Sequence, residues 1–168
     1  MAALAEINAL DRAAFTQRLG AIYEHSPWVA ERAWTARPFA SVDALQAVMQ
    51  AALLKADREK QLALIRAHPQ LKGKLATPEE LTDASRREQS SAGLDRCTAA
   101  QMEQLRELNA AYLQKFGFPF VVAVRGLNTE EIIVRMRERL AGNQDEEFAG
   151  ALQQIGRIAH FRLGELIQ

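Results

Sequence analysis

With one cysteine, Cys97, in 168 residues, the chain can close no internal disulfide and has no paired thiols at metal-ligand spacing; a reducing compartment is expected. Net charge is missing as well: 21 Lys and Arg stand against 21 Asp and Glu. Without a basic field to collect phosphate backbones, no nucleic-acid partner is expected. Nowhere do about 18 apolar residues run together, so no membrane-spanning helix is expected. The opening MAALAEINALDRAAF carries charges throughout and lacks the basic start and unbroken apolar run of a secretory leader, and a cytoplasmic location follows as the expectation. Neither a GxxxxGK loop nor a GxGxxG turn occurs, which leaves nucleotide binding without a motif. His25, His68 and His160 are the only histidines, and no pair has the short helical spacing of a zinc site such as HExxH, so no metal centre is expected. No internal repeat or low-complexity linker marks a boundary, and residues 1–168 are expected to form one domain.

What is present is helical patterning. Hydrophobic residues make up 48% of the chain and charged residues 25%, the balance of a globular protein that builds its own core. Leu105, Leu108 and Tyr112 recur at i, i+3, i+7. Ile132, Ile133, Met136 and Leu140 follow the same rule, as do Leu152, Ile155, Ala159, Leu163 and Leu166, and each stripe predicts an amphipathic helix. An earlier helical stretch runs from about Ser41 to Ala67, with Val48, Met49, Ala52 and Leu53 on one side, Leu62 and Ile65 continuing, and a break or bend expected near Asp57.

Thr77-Pro78-Glu79-Glu80 combines a capping hydroxyl, a first-turn proline and a glutamate three residues after the cap; Thr98 with Gln101 and Asn128 with Glu131 repeat that logic. Gly73, Gly93, Gly126 and Gly142 fall where helices are expected to stop. One run departs from the pattern: FGFPFVVAVRG, Phe116 to Gly126, is aromatic and β-branched with a proline inside, and no second run offers it a pairing partner. The fold class expected is therefore all-α, a bundle of about seven or eight helices with one irregular, extended, buried segment.

Two features bear on chemistry. In AHPQLKG, Pro69 biases His68 away from the helical region, so His68 should stand where a helix gives way to extended chain. In the helix expected to start at Thr77-Pro78, Ser85, Glu88 and Gln89 sit at i, i+3 and i+4 and share a face. Spacing alone leaves two readings open, a solvated charged face or a carboxylate turned toward a histidine for acid/base work. Cys97, just ahead of the Thr98 cap, reads better as structural than as a nucleophile.

Taken together, His68-Pro69-Gln70-Leu71-Lys72-Gly73, SRREQSSAGL from Ser85 to Leu94, and LNAAYLQKFGFPFVVAVRG from Leu108 to Gly126 resemble the OHCU decarboxylase family. That family acts on 2-oxo-4-hydroxy-4-carboxy-5-ureidoimidazoline in the uric acid pathway. Ser26-Pro27-Trp28, the stretch Trp34 to Phe39, and Arg162 to Leu166 extend the likeness over nearly the whole chain. The resemblance implies an all-helical homodimer that converts this small ureidoimidazoline carboxylate to (S)-allantoin and carbon dioxide, with no cofactor. It makes His68 the catalytic histidine and proton donor, and Glu88 its carboxylate partner. It assigns substrate-lining roles to Pro69, to Ser85, Arg86, Arg87 and Gln89, and to Phe120, Val121, Val122, Ala123 and Val124, and it places Arg162 against the substrate carboxylate. Gln70 departs from the pattern, since many relatives carry aspartate after His-Pro. A non-catalytic helical binding module and an imidazoline or ureide hydrolase are the alternatives.

Overall fold

A computed structural model of the chain describes residues 1–71 and 82–168. Among the described residues there are nine α-helices, two short 3-10 turns and no strand. Their contacts divide the chain into two compact units, Met1–Ala67 with Ile155–Gln168, and His68–Gln154.

The first unit holds α1 (Leu4–Ala9), α2 (Arg12–Leu19), α3 (Trp28–Ala33), α4 (Val42–Lys55), α5 (Arg58–Ala67) and the second half of α9 (Gln144–Leu166). Asp11 and Ser41 cap α2 and α4, accepting from the Ala14 and Ala44 amides. The buried stripe of α4 is Leu45, Met49 and Leu53 at i, i+4 and i+8, one position off the side of Val48 and Ala52 that the sequence pattern also included; Leu64 and Ile65 continue it on α5. Each such side chain taken out of water contributes roughly 1.5–3 kcal/mol. The break expected near Asp57 is there: Ala56 is extended, and the Asp57 carboxylate accepts from the Lys60 amide at 2.8 Å to start α5. Ile155, Ala159 and Leu163 supply the inward face of α9 in this unit, and its end is tied to Ala2 by an isolated parallel bridge to Ile167.

The second unit holds α6 (Asp83–Ser91), α7 (Ala99–Phe116), α8 (Thr129–Leu140) and the first half of α9. Thr98 with Gln101 and Asn128 with Glu131 each form a complete capping box, as their spacing predicts. The Thr77-Pro78-Glu79-Glu80 start and Gly73 lie outside the described residues. The helix that carries Ser85 to Gln89 begins instead at Asp83, because Thr82 is extended (φ −63°, ψ 157°) and its hydroxyl accepts from the Ser85 amide. Gly93 and Gly117 take left-handed backbone (φ 76° and 79°), at the ends of α6 and α7. Gly126 (φ 81°) closes no helix; it turns the chain into α8, where Leu127 N–H donates to the Val124 carbonyl.

Between Gly117 and Gly126 the chain has neither helix nor strand, yet Phe118 and Phe120 to Val124 are buried, matching the irregular extended segment expected from the sequence. Tyr112, Phe116, Phe118, Phe120 and Phe148 pack ring on ring beneath it, at centroid separations from 4.6 Å to 6.1 Å.

Candidate active site

His68 is the first residue after α5, which ends at Ala67. Pro69 supplies no amide hydrogen and disfavours a helical His68, so the imidazole is presented where the helix ends. It is only 7% exposed, and the turn after it is anchored: the Leu71 carbonyl accepts from Asn109 Nδ2 on α7 at 2.8 Å.

On α6 the polar face splits. Ser85 and Gln89, one turn apart, are turned inward at 4% and 7% exposure, and Glu88 is half-buried beside them. Arg86 and Arg87 are exposed, Arg86 lying 3.6 Å from the Asp83 carboxylate on the surface. A solvated charged face therefore describes the arginines and not Ser85 or Gln89. Burying a hydroxyl and a carboxamide in place of leucines costs free energy unless their hydrogen bonds are made, and both residues take part in interactions, as do His68 and Glu88.

The extended segment is gripped from its main chain. Val121 O accepts from Arg139 Nη1 at 2.6 Å, and Ala123 N–H donates to Gln154 Oε1 at 3.0 Å. Arg139 is itself held by Glu147 at 2.9 Å and lies with its guanidinium carbon 4.4 Å from the Phe120 ring centroid. Tyr112 donates its hydroxyl to the same Glu147 oxygen at 2.6 Å. Burial above all, then that hydrogen bond, pushes the Tyr112 phenol well above its ordinary pKa. Tyr112→Phe should cost about 1.5–3 kcal/mol, the range for a hydrogen bond to a charged group, read as a lowered midpoint in urea unfolding; an unchanged midpoint would show that the hydroxyl holds nothing.

The second compact unit thus contains His68, Pro69, Ser85 to Gln89 and Phe120 to Val124. Arg162 belongs to the first unit. There it makes a buried ion pair, Nη1 lying 2.8 Å from Glu24 Oε2, with side chains 5% and 1% exposed, and it also donates to the Ala21 and Ile22 carbonyls. His25 and His160 are exposed; His25 has left-handed backbone (φ 48°), and His160 lies 4.0 Å from Asp43. Cys97 donates to the Leu94 carbonyl in the loop before α7, a packing role. Among the described residues no group of His, Cys, Asp and Glu is arranged to hold a metal ion, and no helix is long and apolar enough to cross a membrane. An open cavity of about 390 Å³ lined by Ser91, Gly93, Arg96, Gln101, Asn128 and Glu130 includes none of the expected site residues.

Six polar residues escaped the sequence reading: Glu24, Asn109, Tyr112 as a donor, Arg139, Glu147 and Gln154. Only Asn109 left a signal there, as an amide set in the apolar stripe between Leu105 and Tyr112. The others pair across long sequence separations that no local spacing reports.

An all-helical fold with an inward-turned polar helix face, a buried histidine at a chain break and a main-chain-gripped irregular segment defines the class: a helical enzyme for a small polar molecule. The chain belongs to the OHCU decarboxylase family, whose model matches residues 8–164. It is 47% identical to a 2-oxo-4-hydroxy-4-carboxy-5-ureidoimidazoline decarboxylase of Haloferax volcanii over 96% of this chain and 94% of that one. A protein of the same description from Halalkalicoccus jeotgali is 43% identical over 96% and 89%. Among solved structures, an (S)-allantoin synthase superposes with a TM-score of 0.79 at 28% identity; all of this chain is covered, spanning 54% of that one.

Proposed function

We propose that the chain decarboxylates 2-oxo-4-hydroxy-4-carboxy-5-ureidoimidazoline to (S)-allantoin and carbon dioxide, as one domain acting in a cytoplasmic homodimer. The observation that carries this reading is the buried His68, set by Pro69 at the end of α5 in the unit that also holds the inward Ser85–Gln89 face, in a chain whose relatives bear that enzyme's name over nearly their whole length.

The chemistry needs little from a cofactor. When the bond from the ring to the carboxylate breaks and carbon dioxide leaves, its electron pair flows into the adjoining ring C=N of the substrate: the ring nitrogen takes up a proton, and an enol spans the hydroxyl-bearing and ureido-bearing carbons, its hydroxyl losing a proton to become the carbonyl as the ureido-bearing carbon gains one. A proton must then reach the carbon that carries the ureido group, and the face it arrives on decides which enantiomer forms. His68 is the proposed donor, and Glu88 orients the imidazole and favours its charged form. Ser85 and Gln89 offer hydroxyl and amide groups to the polar ring, and Arg86 and Arg87 add positive charge at the mouth. Pro69 and the run Phe120 to Val124 line the ring, whose flat, ureido-bearing edge suits peptide N–H and C=O groups that a helix would keep for itself.

The product is chiral and the spontaneous reaction is not selective, so the decisive measurement is circular dichroism of allantoin formed from freshly generated substrate. Accelerated formation of the S enantiomer with release of carbon dioxide is the expected result. Racemic product at the uncatalysed rate rejects the reading in favour of a binding module, and release of ammonia or urea points to a hydrolase.

A further inference from the structure

We infer that Asn109 is a positioning residue for His68, a role that rests on the proposed reaction and adds a residue to it. Asn109 is 3% exposed and occupies the inward stripe of α7 with Leu105, Tyr112 and Phe116. A leucine would suit that stripe better, both in helix propensity and in burial. The amide does something a leucine cannot: Nδ2 donates to the Leu71 carbonyl at 2.8 Å across 38 residues of sequence. Its Oδ1 is buried without a hydrogen-bond partner among the described residues.

The geometry of the turn explains the need. Leu71 follows His68 by three residues, so a bond to its carbonyl acts on the same short stretch of chain that carries the imidazole. Proline fixes its own φ, and the Asn109 bond ties the Leu71 carbonyl to a rigid helix, which narrows the positions open to the short stretch between them. Tyr112, three residues further along the same face of α7, bonds Glu147, which holds Arg139 on Val121 O. One helix face therefore sets the positions of the histidine turn and of the extended segment, from side chains about 4.5 Å apart along the axis. Reacting groups need to be held to within about 0.5 Å, and displacement by about 1 Å can cost 100-fold in rate.

The test is Asn109→Leu in the 168-residue protein, read in two ways. In ligand-free protein, the His68 imidazole NMR resonances, assigned by their loss in His68→Ala, should move from their wild-type positions. With substrate, kcat per folded molecule should fall about 10-fold or more while KM stays within about threefold. Asn109→Asp, which keeps the size but sets an acceptor against the Leu71 carbonyl, carries the same readouts if the leucine variant does not fold. A purely structural role would lower the melting temperature and leave kcat and the His68 resonances as they were; either of the last two results overturns the inference. Should the wild-type protein fail to accelerate the decarboxylation, the proposed reaction falls, while the ligand-free resonances still decide whether Asn109 sets His68.

Discussion

Replacing His68 with alanine should lower the rate of (S)-allantoin formation by about 100-fold or more, the usual effect of removing a general acid, with the fold retained. The side chain stands at a chain break and not inside a helix, so its removal leaves the α5 ladder untouched and the Pro69 turn still anchored at Leu71 by Asn109. Glu88→Gln keeps the size of the half-buried carboxylate and removes its charge, and should act through the same proton transfer. Groups that work as a unit are strongly non-additive, so the double variant should be little slower than His68→Ala alone. Stopped-flow loss of substrate, with circular dichroism of the product, checks all three. A folded His68→Ala protein that turns over at nearly the wild-type rate with S selectivity would sink the acid/base assignment, and independent effects in the double variant would separate Glu88 from it.

The largest loss of stability should come from a different place. Glu24→Ala removes the carboxylate 2.8 Å from the Arg162 guanidinium, 5% exposed, inside the first unit, and breaking a buried ion pair by removing one partner typically costs about 3–5 kcal/mol. The Ala21 and Ile22 carbonyls that Arg162 also reaches, at 3.4 Å and 3.3 Å, offer only partial charge. Urea unfolding of wild-type protein and of Glu24→Ala should show midpoints far apart. Replacing both partners with apolar residues of similar volume should recover most of the loss, because no charge is then left buried. A Glu24→Ala midpoint close to wild type would mean that Arg162 finds a full substitute partner.

The helices were legible in the sequence where their causes are local. The apolar period of α7, α8 and α9 is visible without any neighbour, and so are the Thr98–Gln101 and Asn128–Glu131 capping boxes and the break before Asp57, because each is decided within a few residues of chain. Helices α1 and α3, only six residues long, exceed the seven or eight expected, since so short a helix owes its stability to packing and leaves almost no period. The start of α6 was read five residues early because Thr77-Pro78-Glu79-Glu80 satisfies the capping rule while Thr82 simply does it closer to the polar face. Gly117 stops α7, and Gly126, a glycine of equal standing in the sequence, only turns the chain; which glycine ends a helix depends on where the apolar face runs out. At the site, His68 with Pro69 and the spacing of Ser85, Glu88 and Gln89 stood out because proline and the helical repeat are local signals. Glu147 with Tyr112, 35 residues away, and Arg162 with Glu24 are partnerships of the folded state.

The extended run from Phe120 to Val124 turns side chains into the core and is held by its peptide groups at Val121 and Ala123. On the proposed reading, in which this run meets substrate through its main chain, identity and recognition come apart. Exchanging Val122 for isoleucine or Val124 for leucine alters packing while every amide and carbonyl stays in the chain, so an alanine scan of this run would register lost stability and be nearly blind to lost binding. Probing it calls for editing the backbone itself, for instance an ester in place of one amide, which deletes a single N–H and leaves the side chain as it was.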